Sequence, residues 1–352
     1  MPVFNNSAHL RAAIDSVLAQ THREFELIIV DDGSKDSSPE IIASYRDPRV
    51  RFERFERNRG LAAALNHGLQ AASAPLIARQ DADDLSRPDR LARQLQLFQE
   101  RPDLVIAGSL ARSMTEQGAI VGTVQRPLEA LSIRWYAVVD NPFIHSSVMF
   151  RRAEAMACGG YDVAFDPYAQ DFELWWRLIQ RGSVMNLADR LVDFRVNPGS
   201  ITAKTDAPEE TAYRAGFKRM LSDVISKHAL DAFGLNGLAP EDARLLAGFA
   251  VGIDAATLSR FLEVFSDALS WYEQSHPEVI DSEDFRRTVA RQYDAIAYRV
   301  RPASRRSAAQ VYSSALRQRP QLAGVLSWPR LLAMVMFGLT GRARLARAWS
   351  GA

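Results

Sequence analysis

The chain has 352 residues, of which 47% are hydrophobic and 24% charged, with a formal net charge of +1. That length supports one large domain and an appended one, and the near-neutral charge gives no general attraction to polyanions. A lone cysteine, Cys158, excludes a disulfide framework and fits a reducing compartment, and no run of about 18 apolar residues reads as a bilayer span.

Met1-Pro-Val-Phe4 reads as the end of a first, central strand whose earlier residues are expected upstream, and no basic stretch followed by an apolar run marks a secretory leader. Ser7 to Gln20 then reads as an amphipathic helix, with Leu10, Ile14, Val17 and Leu18 on one face and Ser7 as a cap. Phe25 to Asp31 is a β-branched run entering a loop, the pattern of a buried strand. Further helices are expected at Ser37–Tyr45, Leu61–Ala72 and Asp89–Glu100, and strands at Val50–Phe55, Pro75–Arg79 and Leu104–Ala107. Such alternation predicts an α/β fold with a mostly parallel sheet flanked by helices. Ligands then bind beyond the carboxyl ends of the strands, where the loops after Val30 and Arg79 lie. From about Thr205 the pattern turns helical, with breaks at Gly234–Pro240, Pro277 and Pro302. The expected organisation is a catalytic domain over 1–204, with a donor half to about 110 and an acceptor half over 111–204, then a helical region over 205–352.

Two acidic loops carry candidate chemistry. Asp81-Ala-Asp83-Asp84 places three carboxylates in four residues, which repel one another unless a cation or hydrogen-bond donors compensate. Hard divalent cations, Mn²⁺ or Mg²⁺, take oxygen ligands and share them with phosphates. The plainer role is a solvated turn capping the next helix. Asp31-Asp32-Gly33-Ser34 is equally two-sided: Gly33 permits a tight turn and Ser34 or Asp36 can cap a helix, or a carboxylate can face a nucleotide base.

Taken with Pro2-Val-Phe-Asn5, Ser16 to Thr21, Asn58-Arg-Gly60 through Asn66, Pro88 to Leu91, His145-Ser-Ser-Val-Met149 and Gln170-Asp-Phe-Glu-Leu-Trp175, these loops stand in a specific order. In that order the segment from Met1 to about Thr202 resembles the family-2 inverting glycosyltransferases of the GT-A fold. The resemblance implies a nucleotide-diphosphate sugar, with uridine preferred, as donor. Pro2, Val3, Phe4, Asn5 and Asp32 would hold the base beside Asp31, with Asn58 also on the donor side; Asp81 would face the ribose and Asp83 the metal. Asp171 matches the family's general base; its plainer role is the N-cap of a helix over Phe172–Gln180. His145 is a structural histidine or an acceptor-side group, and of Trp175 and Trp176 at least one is core and the other an acceptor platform. Many relatives have histidine where this chain has Asn197, which offers a metal only a neutral carbonyl oxygen. The processive members' Gln-x-x-Arg-Trp motif is missing before Arg134-Trp135, so single sugar additions are expected.

After Asp294 no acidic residue follows, while ten arginines do, from Arg299 to Arg347. Each would add about 1 kcal/mol at an anionic lipid surface, with Trp328 and Leu331 to Leu339 as an apolar patch; the alternative is a helix packed on the catalytic domain. No nucleic-acid module surrounds them. The expectation is a cytoplasmic enzyme, free or peripheral on the inner membrane face, acting on a glycan or lipid-linked acceptor in surface polysaccharide synthesis. The competing expectation is a non-catalytic glycan- or partner-binding protein on a degenerate transferase scaffold. Nucleotidyl transfer lacks its Gly-rich basic loop here.

Overall fold

The computed structural model describes residues 1–166, 169–196, 223, 239–246, 253–254, 256–301 and 305–326. They fall into two compact units: one of Met1–Arg126 with Phe143 onward to residue 203, and one of Pro127–Pro142 with the later residues.

In the first unit the elements are β1 (Pro2–Val3), α1 (Ser7–Leu18), β2 (Leu27–Asp31), α2 (Ser38–Ala43), β3 (Val50–Arg54), α3 (Leu61–Ala71), β4 (Leu76–Ala78), β5 (Leu85–Ser86), α4 (Arg90–Glu100), β6 (Leu104–Met114) and β7 (Ile120–Val124). After α5 (Ala130–Ala137), which belongs to the second unit, come β8 (Met149–Arg151), α6 (Arg152–Ala157), α7 (Gln170–Ile179) and β9 (Ser183–Arg195). β1, β2 and β3 form a parallel sheet. The second sheet is mixed: β6 runs parallel to β9 but antiparallel to β7 and β8, and β4 and β5 pair antiparallel to β8 and β9.

Every residue of β2 is buried, because it is covered on both faces. Leu27 and Ile29 pack with Leu10, Ile14 and Val17 of α1, whose spacing makes one apolar stripe. Ile28 and Val30 point the other way, to Phe55 and Ala64 of the α3 side. β6 is longer than the expected four residues, because its first eight residues are buried and pairing with β9 continues to Met114.

α4 has a polar seam. Arg90 and Gln94 are buried beside Leu91 and Phe98, and all five guanidinium N–H groups of Arg90 are used. Nε donates to Gln94 Oε1 (3.1 Å), Nη1 to Gln80 Oε1 (3.0 Å) and Ser86 Oγ (2.9 Å), and Nη2 to the carbonyls of Arg79 (2.6 Å) and Val148 (3.2 Å). One side chain thus ties β4, β5 and the entry to β8 to α4.

In the second unit, helices Leu258–Ser275 and Glu283–Arg299 pack with α5. Trp135 is fully buried, packs edge-on to Phe265 and tilted against Tyr272, and donates from Nε1 to Gln292 Oε1 at 2.6 Å. Asp284 Oδ2 accepts the N–H groups of Leu128 and Glu129, both at 3.0 Å, which fixes the start of α5. The helical break expected at Pro277 is present as a short 3₁₀ turn over Pro277–Asp281. Of the late arginines, Arg319 is buried and paired with Glu273 at 3.1 Å. Trp328, Leu331 to Leu339, Arg330, Arg342, Arg344 and Arg347 lie outside the described residues. No described helix is long and apolar enough to cross a membrane.

Arg90→Lys keeps the charge but offers three donors for five acceptors. It should destabilise the protein by about 2–4 kcal/mol, through buried acceptors left unpaired. Denaturant unfolding reads this directly, and a loss under about 1 kcal/mol would show that the network in α4 is dispensable.

Candidate active site

The loop after β2 is closed by its own carboxylates. Asp31 is buried, accepts the Ser34 N–H at 3.1 Å and pairs with Arg54 at 3.0 Å. Asp32 accepts the N–H groups of Arg59 (2.7 Å) and Gly60 (3.0 Å), so the β3–α3 loop hangs from the tip of β2. Burial pushes the Asp32 carboxyl up, against these two bonds, and neighbouring Asp166 and Asp31 push the same way. Gly33 has φ +75°, and a Cβ there would lie 2.6 Å from the backbone carbon of Arg57, so only glycine lets the loops meet.

The β1–α1 loop is stapled beside it. Asn5, at φ +48°, a region that asparagine tolerates, accepts the Lys35 N–H with its side chain (2.8 Å) and donates its own N–H to Ser34 Oγ (2.9 Å). Ser7 N–H donates to Asp36 Oδ2 at 2.8 Å, and Asp36 also accepts Ser38 N–H at 3.0 Å. The N-cap of α1 is Asn6 rather than Ser7, which is already the first helical residue, and the Ser7 amide at that helix start is satisfied by Asp36. Pro2 and Val3 are buried, Phe4 is 48% exposed, and Asn58 is exposed.

The second acidic loop divides its carboxylates by alternation. Asp81 and Asp83 are half-buried, while Ala82 and Asp84 turn inward. Asp81 is held by Arg79 Nη2 (2.5 Å) and Ser146 Oγ (2.5 Å), and this positive neighbourhood keeps its carboxyl well below the usual range despite burial. Asp84 accepts the Arg195 N–H at 2.7 Å; burial, then Asp81 and Asp83, push its carboxyl up. For Asp83, burial and then repulsion from Asp81 push the carboxyl up to about 6, against smaller lowering effects of its own backbone N–H, His9 and Arg79. Arg195 also donates to the carbonyls of Asp83 (2.9 Å) and Thr115 (3.0 Å), pinning the loop to the end of β6. His9, paired with Glu116 at 2.6 Å, lies within the field of Asp83.

His145 Nε2 accepts from Arg79 Nε at 3.1 Å, so the ring proton sits on Nδ1. Burial, with Arg79 adding to it, depresses the imidazole to about 3 and keeps it neutral. It orients the arginine that holds Asp81. Trp175 and Trp176 are both fully buried, which corrects the expectation of an acceptor platform. Trp175 sits among Phe143, Phe150, His145 and Tyr161, with ring centroids 5.7–6.2 Å away, and Trp176 packs near Phe172. Neither indole has a face left for a sugar.

α7 begins at Gln170, with Ala169 as N-cap. Asp171 is therefore a half-buried acid of the first turn rather than the cap, and its Oδ1 accepts the Phe172 N–H at 2.7 Å. Burial pushes the Tyr161 phenol up, and the charges of Asp171 and Asp81 push the same way. Asn197 lies outside the described residues.

Among the described residues no three His, Cys, Asp or Glu side chains converge into a closed metal cage. A cation shared with phosphates needs only one or two carboxylates, and the raised Asp83 next to Asp81 is negative charge that a cation would relieve. The donor set fits such a shared site. A mostly apolar cavity of about 290 Å³ between β2 and β4 is lined by Ile28, Ala64 and Ile77 among others. None of Asp31, Asp32, Asp81, Asp83 or Asp171 lines it, so the acidic loops do not belong to it.

Solved structures of *S. aureus* TarS 1–349 share this fold: with the UDP-GlcNAc complex the TM-score is 0.53, over 92% of this chain and 89% of that one, at 14% identity. The architecture is thus that of a GT-A glycosyltransferase. At the sequence level the family model for glycosyl transferase family 2 matches residues 1–157. The amylovoran biosynthesis glycosyltransferase AmsE of Erwinia amylovora is 30% identical over 200 residues, 56% of this chain and 74% of that one. A UDP-Gal:α-D-GlcNAc-diphosphoundecaprenol β-1,3-galactosyltransferase of Escherichia coli is 29% identical over 62% of this chain and 76% of that one. The chain belongs to glycosyl transferase family 2.

Sequence reasoning passed over Arg90, Arg195 and His9. Arg90 had a signal, since Arg90 and Gln94 continue the buried stripe of Leu91 and Phe98 along α4; Arg195 and His9 had none in their local sequence.

Gly33→Ala should cost at least about 2 kcal/mol, from the left-handed backbone and the clash with Arg57. Thermal unfolding checks it; a neutral effect would mean that the two loops separate without penalty.

Proposed function

We propose that this protein moves a sugar from a nucleoside-diphosphate donor, a UDP-sugar, to a hydroxyl of a glycan or lipid-linked acceptor with inversion, in cell-surface polysaccharide synthesis. The observation that carries the reading is Asp83, raised by burial and by the neighbouring Asp81 that Arg79 and Ser146 hold in place. The galactosyltransferase activity of the E. coli relative and the amylovoran biosynthesis role of the Erwinia relative support the donor class and the pathway class.

In this reading Pro2, Val3, Phe4, Asn5 and Asp32 frame the base, with Asp31 and Asn58 at its edge, and Asp81, immobilised by Arg79 and Ser146, faces the ribose. Asp83 would hold Mn²⁺ or Mg²⁺ against the diphosphate, where the cation stabilises charge on the departing group. Asp171 takes the proton of the acceptor hydroxyl. The oxygen attacks the anomeric carbon in line as its bond to the β-phosphate oxygen breaks. The electron pair leaves with the nucleoside diphosphate, and one displacement inverts the centre. Asp171 lies in the first turn of α7, which holds the carboxylate in place for that role.

Asp171→Asn should lower kcat for nucleoside-diphosphate release in the presence of acceptor by about 10²–10⁴-fold, while donor KM moves little. Steady-state release assays over a panel of nucleotide sugars measure it. Unchanged kcat removes Asp171 as the base, and binding without any turnover favours the non-catalytic scaffold.

Metal binding should compete with protons at Asp83. As pH rises through about 6 the carboxylate deprotonates, so apparent Mn²⁺ affinity should rise about tenfold per unit below that point and level off above it. Calorimetry between pH 5 and 8, with Asp83→Ala as the control, reads the slope; a flat profile removes Asp83 as the ligand.

A further inference from the structure

The segment that leads to Asp171 is held from two sides. Within it, Asp162 Oδ1 accepts the Ala164 N–H at 2.9 Å and closes the 3₁₀ turn Val163–Phe165. The Ala169 N–H donates to Phe165 O (3.0 Å) and the Glu173 N–H to Ala169 O (2.9 Å), so the turn runs into α7 through hydrogen bonds. On the α7 side, Arg177 is held by Glu173 (2.9 and 3.0 Å) and donates to the carbonyls of Cys158 (2.5 Å) and Gly160 (2.8 Å).

The other side is α3. Asn66 clamps the backbone of Tyr161 in both directions, at 2.7 and 2.8 Å. Asp166 reaches the first turn of α3, where Oδ2 accepts the Ala62 N–H at 3.2 Å and the Leu61 N–H also supports the carboxylate. Gly60, at φ +94°, makes room for it, since a Cβ there would collide with Asp166 Oδ2. The same Gly60 gives its N–H to Asp32. Adjacent amides of one helix entrance therefore serve Asp32 from the donor-side loop and Asp166 from the segment before Asp171. A carboxylate at a helix N-terminus is favoured by its free N–H groups and its dipole.

We propose that Asp166 is a positioning residue for the transfer reaction: it anchors the Asp171 segment to the start of α3 and so fixes the base relative to the Asp32 loop. The inference rests on the proposed function for its catalytic consequence, but the anchoring itself does not. Asp166 touches neither donor nor acceptor in this assignment. Its loss displaces Asp171 and leaves the Asp32 contacts to Arg59 and Gly60 in place. Displacements of about 1 Å at a reacting group cost up to about 10²-fold in rate.

The test uses the full chain with Asp166→Ala, Asp166→Asn and Asp166→Glu, the last a second probe that keeps the charge but lengthens the side chain. Asp166→Ala and Asp166→Glu should lower kcat by about tenfold or more with donor KM within about threefold, and Asp166→Asn, which keeps the acceptor oxygen, should restore most of it. Amide hydrogen exchange over residues 163–173 should rise in Asp166→Ala and stay near wild type in Asp166→Asn. Unchanged exchange over 163–173 in Asp166→Ala overturns the proposal. So does a rise in KM with kcat intact, or equal impairment of Ala and Asn. If wild-type protein turns over no nucleotide sugar, the proposed function fails, while the exchange result still decides whether Asp166 anchors the segment.

Discussion

Arg90 sets the terms for the rest of the catalytic unit. It is a buried guanidinium with all five N–H groups bonded to neutral oxygens, and no carboxylate touches it. Burial pulls its pKa down, while the fields of Asp84 and Asp81 pull it back up. A buried cation without a contact ion pair is expensive unless every donor is used and opposite charge lies near. Both conditions hold because the acidic loop sits on the strand end that Arg90 secures. The loop needs the arginine for its shape, and the arginine needs the loop for its charge.

The same exchange of support recurs around the cleft. The carboxylate of Asp32 closes the turn after β2 by accepting two amides from the next loop, and Gly33 allows the approach that this requires. Arg195, at the end of β9, donates its backbone N–H to the Asp84 carboxylate and its guanidinium to the Asp83 carbonyl. Side chains from distant parts of the chain thus supply what the loops lack in regular hydrogen bonding. Buried backbone groups have to be paired somewhere, and here the pairing also fixes the carboxylates.

Much of this was legible in the sequence, and the failures share a cause. α1, β2, α3 and α4 follow from apolar spacing alone, because a helix or strand with one core-facing stripe writes its period into the chain. The acidic loops and Asp171 follow from motif order. That both Trp175 and Trp176 are core, rather than only one of them, was also signalled: Phe172, Leu174, Trp175, Trp176, Leu178 and Ile179 leave α7 apolar nearly all round, and such a helix is buried. The segment Pro127–Pro142 reads as part of the acceptor half by position, yet it clusters with the second unit. Its anchors, Gln292 for Trp135 and Asp284 for Leu128, lie more than 150 residues away, where no local pattern points back. Arg195 is invisible for the same reason: its partners are carbonyls and one carboxylate from other strands.

The division within Asp81-Ala-Asp83-Asp84 shows what composition alone could not say. Three identical-looking acids receive different environments because the turn through Ala82 and Asp83 leaves Asp81 and Asp83 half-buried and Asp84 buried. Asp84 points inward and becomes structural, bonded to the Arg195 amide. Asp81 points outward but meets Arg79 and Ser146, so it stays charged and fixed. Asp83 is also half-buried, and burial and then the negative field of Asp81 push its carboxyl up. Arg79 is in turn held by a histidine that burial keeps neutral, so no second full positive charge reaches Asp83 from that side.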